Sequence, residues 1–317
     1  MKAYTRYIYG GPEVLQLEET AKPTLKDDHI LVKILANSVN PADWHILRGD
    51  PFFSRLTYGL LKPKDKVIGS DFAGIVEEVG RSVTLFKPGD RVFGSTLKGG
   101  AFAEYISVPA NACGSMPADA NFTEMASLPL AGVTAYQSLI KDGELKNGET
   151  VLINGAAGGV GHLAVQIAKA YGANITAVCS DKNAEFVKTL GAKEVIAYDI
   201  EDIHQHRGKY DLVLDVHGNL TSSDMKRMGK RSVKVGFTTM KNMVSVVIRG
   251  NFSSFSVKHA AAKVNTADLE VLSLLVQKEK IKVWLDHTLP CSQIPAAIEY
   301  VEKMHTRGKV GITWQDN

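Results

Sequence analysis

The fold is decided by one stretch, Thr150–Ala168, which reads TVLIN-GAAGGV-GHLAVQIA. Four residues with the character of a buried strand lead into a glycine-rich turn. Apolar residues then recur at helical spacing, at Val160, Ala164, Ile167 and Ala168. The order of strand, glycine turn and helix is typical of the first βα unit of a dinucleotide-binding domain.

The small residues of this turn allow a phosphate to approach the backbone. Gly158 and Gly159 leave the N–H groups at the start of the helix accessible to a pyrophosphate. Gly161 lets the helix pack closely against the strand that precedes it. Ala156 stands where the strict G-x-G-x-x-G pattern has its first glycine, so the motif alone also fits a tight structural turn. The neighbouring segments must decide between these two interpretations.

Composition predicts an ordinary globular protein with two domains. The chain has 317 residues, of which 44% are hydrophobic and 22% charged, and its formal net charge is +3. This charge is too small to indicate binding to nucleic acid or to an anionic membrane. Three scattered cysteines, no apolar signal core and no apolar run of membrane-spanning length predict a cytoplasmic protein.

The pattern of strands and helices changes near residue 120. Before it, short extended runs end in turn residues, which indicates an antiparallel sheet or barrel. After it, strands alternate with helices, which is typical of a doubly wound parallel sheet of the Rossmann type. We therefore predict an α/β protein in which residues 121–264 form an inserted Rossmann NADP-binding domain, and residues 1–120 plus 265–317 form a β-rich domain. Within the last segment, Ile281–Asp286 is predicted to be a strand.

Several further motifs occur in order along the chain. They are Val39–Asp43 (VNPAD), Ile68–Gly74 (IGSDFAG), Phe86–Val92 (FKPGDRV), Gly99–Tyr105 (GGAFAEY), Ala131–Tyr136 (AGVTAY) and Gly308–Val310 (GKV). Together with the glycine turn, Gln166 and Lys169, they resemble the quinone oxidoreductases, the zeta-crystallin-like branch of the medium-chain dehydrogenase/reductase superfamily. The resemblance implies a GroES-like catalytic domain built around a partly open barrel, with the Rossmann domain inserted before the last segment.

The resemblance also implies a set of cofactor-binding residues. Asn40 and Thr134 would contact the nicotinamide and its ribose, and Ala157, Gly158, Gly159 and Val160 the pyrophosphate. The remaining positions are Ser180 and Lys182 for a 2′-phosphate, Tyr198 for the adenine end, Gly236 and Phe237 for the inner edge of the cofactor, and Lys309 for the cleft between the domains. Thr134 and Phe237 fit equally well as helix and core residues.

The sequence predicts no metal site. Three cysteines cannot form a four-cysteine zinc site. Ser70 stands where the alcohol dehydrogenases of the same superfamily have a ligand histidine, and no cysteine lies near Asn40. His204 and His206 form a close pair in a polar loop, without an evident third ligand. A metal-independent reduction of an activated acceptor is therefore favoured over alcohol oxidation.

The residue after the second Rossmann strand favours NADPH. Rossmann domains that prefer NAD carry an acidic residue there, which holds the ribose diol. In this chain Ser180 takes that position, and Lys182 is suitably placed to pair with a 2′-phosphate. Asp181 lies one residue later, so a shifted alignment would restore an acidic ribose ligand, and Lys182 also fits as a solvated residue at a helix start.

The acceptor pocket is predicted in the loop after Asn40. Trp44, Phe52, Phe53 and Tyr58 offer flat apolar surface for a quinone or an enone, although such a cluster also fits a simple core. Tyr58 is a candidate proton donor, Asp43 a candidate orienting group, and solvent an equally suitable proton source.

These features predict an NADPH-dependent reductase of quinones or α,β-unsaturated carbonyls. The alternatives are a trans-enoyl thioester reductase and a non-catalytic NADPH-binding protein that is crystallin-like or binds a protein partner. Members of the resembling family commonly form homodimers through an edge strand of the Rossmann sheet, which we place near Met243–Ile248. No nucleic-acid or membrane partner is expected.

Overall fold

The computed structural model describes residues 1–208, 210–235 and 257–314. The chain divides into two compact units. The first contains Met1–Leu130, Val264–Lys278 and Val283–Asn317, and the second contains Ala131–Lys263 and Glu279–Lys282. The first division thus falls at Leu130 rather than at residue 120.

Two local contacts explain where the units divide. The helix Phe122–Ala126 packs on strands of the first unit, so this segment belongs with the β-rich part of the chain. The segment Glu279–Lys282 belongs with the second unit, because the side-chain amide of Gln166 forms two hydrogen bonds with the backbone of Lys282. Gln166 Nε2 donates to the Lys282 carbonyl at 2.9 Å, and Gln166 Oε1 accepts from the Lys282 N–H at 2.9 Å.

The strands of the described residues form three sheets. In chain order they are β1 Lys2–Thr5, β2 Gln16–Glu19, β3 His29–Val39, β4 Asp71–Val79, β5 Arg91–Ser95, β6 Tyr105–Pro109, β7 Cys113–Ser115, β8 Thr150–Asn154, β9 Asn174–Cys179, β10 Glu194–Ala197, β11 Tyr210–Asp215, β12 Gly229–Val235, β13 Val257–Ala260, β14 Leu285–Pro290 and β15 Lys309–Thr313.

The helices flank these sheets. They are α1 Pro41–Arg48, α2 Arg55–Tyr58, α3 Phe122–Ala126, α4 Pro129–Tyr136, α5 Gly161–Ala170, α6 Ala184–Leu190, α7 Ser222–Met228, α8 Thr266–Gln277 and α9 Ile294–Glu302. Among the described residues, no helix is long and apolar enough to cross a membrane.

The sheet of the first unit is organised around β3. Its strand order is β14-β15-β3-β4-β5-β7, and β6 also pairs with β3. One edge of β3 pairs with β4, while the other pairs with β6 near His29 and with β15 near Val39. Among the described strands the path does not close into a complete barrel, which agrees with the predicted partly open form. The end of β3 therefore lies between β4 and β15, which come from distant parts of the sequence.

The sheet of the second unit is parallel throughout, with the order β10-β9-β8-β11-β12-β13. This strand order is that of a Rossmann fold, and it confirms the doubly wound parallel sheet predicted from the alternation of strands and helices. The chain order reverses between β8 and β11, and ligands of such folds bind at the carboxyl ends of the strands beside this switch point. In β8 the side chains from Val151 to Ile153 are fully buried, as the continuous apolar run predicts.

Candidate functional site

The turn between β8 and α5 presents free backbone donors. Gly155 has a φ of +84°, a left-handed conformation that favours glycine. The N–H groups of Ala157, Gly159 and Val160 find no acceptor among the described residues. Unpaired N–H groups at the N-terminus of a helix are the donors that a pyrophosphate requires, so this turn fits the phosphates of a dinucleotide.

Gly161 is required by the geometry of this turn. A Cβ at this position would lie 2.0 Å from the Gly155 carbonyl oxygen and 2.8 Å from Ala156 Cα. The close approach is thus between the helix start and the turn itself, whereas the sequence predicts a contact with the preceding strand. A Cβ on Gly158 would meet nothing nearer than the Gly155 oxygen at 3.6 Å, so the protein alone leaves room there.

The carboxyl end of β9 carries the residues predicted to select the cofactor. Ser180 is buried, and its hydroxyl accepts a hydrogen bond from Asn183 Nδ2 at 3.1 Å. Asp181 donates its backbone N–H to Asp199 at 2.9 Å, and Lys182 is exposed. Tyr198 donates its backbone N–H to the Cys179 carbonyl at 3.0 Å, and its side chain is 59% exposed. Ser180 and Tyr198 therefore lie at neighbouring strand ends, as a site for the adenosine half of a cofactor requires.

A buried polar network that sequence reasoning missed fixes the loop after β11. Asp215 is fully buried and accepts the N–H groups of Gly218 at 2.8 Å and Leu220 at 3.0 Å. Its carboxylate also accepts from Asn154 Nδ2 at 2.8 Å and lies 3.5 Å from the Lys234 ammonium. Because Asn154 ends β8 and Asp215 ends β11, the network joins the two strands at the switch point. The signal that could have identified this network is the position of Asp215, an acidic residue at the end of a buried apolar run.

In the first unit, the predicted residues Asn40, Asp43 and Lys309 come together at the end of β3. Asn40 precedes α1, and its backbone N–H donates to Asp43 Oδ2 at 2.8 Å. The other oxygen of Asp43 accepts from Ser70 Oγ at 2.6 Å. Both side chains are buried, so Asp43 holds the start of α1 and is enclosed by protein groups rather than facing solvent.

Asp71, to which the sequence analysis gives no role, completes this cluster. Its Oδ2 accepts from Asn40 Nδ2 at 2.9 Å and lies 4.0 Å from Lys309 Nζ. Lys309 Nζ also donates to Asn40 Oδ1 and to the Val39 carbonyl oxygen. Both ends of the Asn40 amide are therefore held, and its orientation is set by the charged residues on either side of it.

Burial shifts the pKa values of the charged groups in this cluster. It raises the pKa of Asp43 to about 7, although the hydrogen bonds from Ser70 and from the Asn40 backbone oppose the rise. Burial likewise raises the pKa of Asp71, against the effect of the Lys309 ammonium, and lowers the pKa of Lys309. The pKa of Tyr58 is raised by burial and then by the negative charge of Asp43, which keeps its phenol protonated.

The four predicted acceptor residues separate into two pairs. Trp44 and Tyr58 are half-buried and pack against the apolar core that includes Leu47. Phe52 and Phe53 are exposed instead. Trp44 and Tyr58 therefore fit the interpretation as core residues, whereas Phe52 and Phe53 do not.

The other predicted residues are placed as follows. Thr134 is buried in α4 of the second unit. Gly236, Phe237 and the predicted dimer edge Met243–Ile248 lie outside the described residues. His206 pairs with Glu201 at 2.8 Å and His204 with Asp224 at 3.2 Å, so the two histidines face different carboxylates. In the described part of the chain, no group of three or more His, Cys, Asp or Glu side chains is arranged to hold a metal ion.

Comparison with known proteins now identifies the family. Residues 26–118 match the alcohol dehydrogenase GroES-like domain, and residues 190–310 match the zinc-binding dehydrogenase family. The quinone-oxidoreductase homolog of Spinacia oleracea, a chloroplastic protein, is 33% identical over 95% of this chain and 94% of its own length. The chain belongs to the zinc-free quinone oxidoreductases of the medium-chain dehydrogenase/reductase superfamily.

Two further similarities bear on this oxidoreductase. The NADPH-dependent alkenal/one oxidoreductase of Arabidopsis thaliana, also chloroplastic, is 32% identical over 98% of this chain and 78% of its own length. The Escherichia coli quinone oxidoreductase complexed with NADPH superposes with a TM-score of 0.83, at 26% identity, and covers 99% of this chain and 100% of that chain. The quinone oxidoreductase family uses NAD(P)H, which agrees with the phosphate-binding turn. The cytoplasmic location stays a prediction.

Proposed function

We propose that the protein is an NADPH-dependent reductase that transfers a hydride to quinones or to α,β-unsaturated carbonyl compounds without a metal ion. The observation that carries this proposal is the cofactor edge of the second unit, where free N–H groups at Gly159 and Val160 accompany Ser180 at the end of β9. A hydroxyl at that strand end imposes no charge repulsion on a 2′-phosphate. The printed names of the relatives support the same cofactor and acceptor classes.

Each part of the site has a distinct task in this proposal. The bound nicotinamide supplies the hydride. The turn holds the pyrophosphate, and the exposed ammonium of Lys182 pairs with the 2′-phosphate. The amide of Asn40, whose orientation is fixed by hydrogen bonds with Asp71 and Lys309, contacts the nicotinamide ring of the cofactor.

The acceptor needs a proton after hydride transfer, because the reduced quinone or enone carries a negative charge on oxygen. Tyr58 keeps its proton at neutral pH, since burial and Asp43 raise its pKa. We propose that Tyr58 donates this proton, with solvent as the alternative source. The Tyr58→Phe variant separates the two, because loss of a positioned donor lowers kcat by about a hundredfold, whereas delivery from solvent leaves kcat nearly unchanged.

The function is tested with a panel of acceptors. Oxidation of NADPH and of NADH is followed with a benzoquinone, an alkenal or alkenone, an enoyl-CoA and an alcohol, with and without a chelator. We expect turnover of quinone or enone with NADPH, unaffected by the chelator. Turnover restricted to the enoyl thioester would indicate a thioester reductase, and NADPH binding without any turnover would indicate a non-catalytic protein.

A further inference from the structure

An apolar surface lies on the first unit around α2. Leu61 is 91% exposed, Leu56 is 71% exposed and Phe52 is 66% exposed. The other members are Phe53, Leu60, Tyr7 and Ile8, all of them exposed large apolar side chains. We call these seven residues the apolar patch. Exposed apolar side chains that cluster, unlike single surface leucines, mark an interaction site.

The two segments that form the patch are joined by direct contacts. The Arg6 backbone N–H donates to the Lys66 carbonyl at 2.8 Å, and Tyr9 Oη donates to the Gly59 carbonyl at 2.6 Å. The Lys66 ammonium lies 4.8 Å from the centre of the Tyr7 ring. Residues 6–9 therefore run beside residues 58–66, and their apolar side chains belong to one surface.

Cations border this surface. Lys62, Lys64 and Lys66 follow directly after Leu60 and Leu61, and all three are exposed. Within the described residues, none of these lysines forms an ion pair with a carboxylate. Two carboxylates lie nearby, at Asp65 and at Glu18, whose Oε2 accepts from Tyr7 Oη at 2.9 Å. Arg55, in contrast, directs its guanidinium to backbone carbonyls and to the rings of Tyr9 and Phe52.

We propose that the apolar patch, with Lys62, Lys64 and Lys66, is a docking surface for an anionic lipid membrane. Leucine and phenylalanine side chains enter the boundary between headgroups and acyl chains, while the lysines at their border reach the lipid phosphates. Charge complementarity decides between occupants. A second copy of this chain docked by a two-fold axis would bring the same surface against itself and add three more lysines to one interface, whereas an anionic bilayer neutralises them.

The net charge of +3 for the whole chain hides this local surface. A net charge summed over the whole chain therefore predicts no membrane partner, because it does not show where the lysines cluster. The inference does not depend on the proposed function, since membrane binding needs neither a cofactor nor an acceptor. It gives Phe52 and Phe53, predicted to line the acceptor pocket, a different role at the surface.

The test is co-sedimentation of the full-length protein with lipid vesicles. One set of vesicles is phosphatidylcholine alone, and the other contains one quarter phosphatidylglycerol. We expect binding to the anionic vesicles and its loss in high salt. The Lys62→Glu, Lys64→Glu double variant should bind at least tenfold more weakly, since each lysine near an anionic surface contributes about fivefold. The Leu60→Ser, Leu61→Ser variant should also bind more weakly, through loss of inserted apolar surface.

Matched variants control for changes at other surface positions. Leu274→Ser removes an exposed leucine from α8, and Lys303→Glu reverses an exposed lysine after α9. Both should bind vesicles like the wild type. Equal binding to both kinds of vesicle, absence of binding, or unchanged binding by the patch variants would overturn the proposal. Sedimentation equilibrium provides a further test. A wild-type protein that is dimeric, with a Leu60→Ser, Leu61→Ser variant that is monomeric, would also overturn the proposal, because the patch would then be covered by a second copy.

Discussion

Lys309 Nζ lies 4.0 Å from Asp71 Oδ2, and both side chains are buried. The two residues come from β15 and β4, which lie on opposite sides of β3. Asn40, just beyond the end of β3, bonds both of them through its amide. The pair therefore fixes a residue predicted to contact the nicotinamide.

Removing one member of this pair should destabilise the fold strongly. Lys309→Met leaves Asp71 buried without its counter-charge, which typically costs about 3–5 kcal/mol. The free energy of unfolding, measured in urea, should fall by this order. Lys303→Met, which removes an exposed lysine paired with Glu299 at 3.3 Å, should change it little.

Removing both members should cost less than the sum of the two single changes. In the Lys309→Met, Asp71→Asn double variant, no unpaired charge of this pair remains buried. A double-mutant cycle on unfolding free energies measures the difference. Strict additivity of the two single changes would show that the residues do not interact.

Stability should depend on pH through Asp43. The pKa of this carboxyl is raised to about 7 in the folded protein, whereas an unperturbed aspartate has a pKa of about 3.9. The folded state holds this proton more tightly, so the contribution to stability is complete below about pH 4 and is lost as the pH rises through about 7. The Asp43→Asn variant has no carboxyl to titrate at this position. The difference in unfolding free energy between the wild type and this variant should therefore shrink between about pH 5 and pH 8, by up to about 1.4 kcal/mol per pH unit.

Urea unfolding at several pH values measures this dependence. Asp119→Asn, at an exposed carboxyl, should follow the wild-type pH profile. A constant difference between wild type and Asp43→Asn over this range would mean that Asp43 is charged throughout.

Two glycines of the phosphate-binding turn should behave differently when changed to alanine. Gly161→Ala places a Cβ 2.0 Å from the Gly155 oxygen, so the turn must shift. Both thermal stability and NADPH affinity should fall, the affinity by more than tenfold. Gly158→Ala meets no contact closer than 3.6 Å, so its melting temperature should stay near that of the wild type.

The Gly158→Ala variant tests the bound state specifically. A pyrophosphate on the free N–H groups of Gly159 and Val160 would meet the added methyl group, so NADPH should bind more weakly to a protein that folds normally. Fluorescence titration with NADPH provides the Kd. Wild-type affinity in this variant would place the phosphates elsewhere.

Cofactor preference should respond to the end of β9. Ser180→Asp introduces a carboxylate that repels a 2′-phosphate, so kcat/KM with NADPH should fall at least tenfold relative to NADH. Lys182→Ala should lower kcat/KM with NADPH and leave NADH unaffected. Lys188→Ala, which removes an exposed lysine on α6 paired with Glu185, is the matched control. Equal effects of Lys182→Ala on both cofactors would contradict a 2′-phosphate contact.

Patterns that are local in sequence predicted the second unit well. The run from Thr150 to Ala168 places a buried strand, a turn and a helix close to where the structure has them, because burial of β8 leaves a continuous apolar signature. The parallel sheet, although not the order of its strands, was predicted from the alternation of strands and helices. The strand predicted at Ile281–Asp286 is wrong: Ile281 and Val283 are buried without belonging to a strand, and β14 begins at Leu285. Alternating apolar residues indicate that side chains are buried, but buried side chains occur in loops as well as in strands.

The contacts between distant strands of the first unit could not be predicted from local sequence patterns. The resemblance implied that Asn40 and Lys309 belong to the site, yet nothing in either segment indicates that Asp71 neutralises the lysine. Such a contact depends on the register of β3 with both β4 and β15. Likewise, Phe52 and Tyr58 share an aromatic segment, and only the packing of α2 separates an exposed ring from a half-buried one.

The place of β15 beside β3 has a consequence for the order in which the protein is made. During synthesis the ribosome releases β3, β4 and α1 first and the whole parallel sheet next, and Lys309 emerges after all of them. Until then, Asp71 lacks its ammonium partner and the amide of Asn40 lacks one of its two anchors. The first unit can therefore be completed only when nearly the whole chain has been made, because its central strand β3 pairs with a strand from the last part of the sequence.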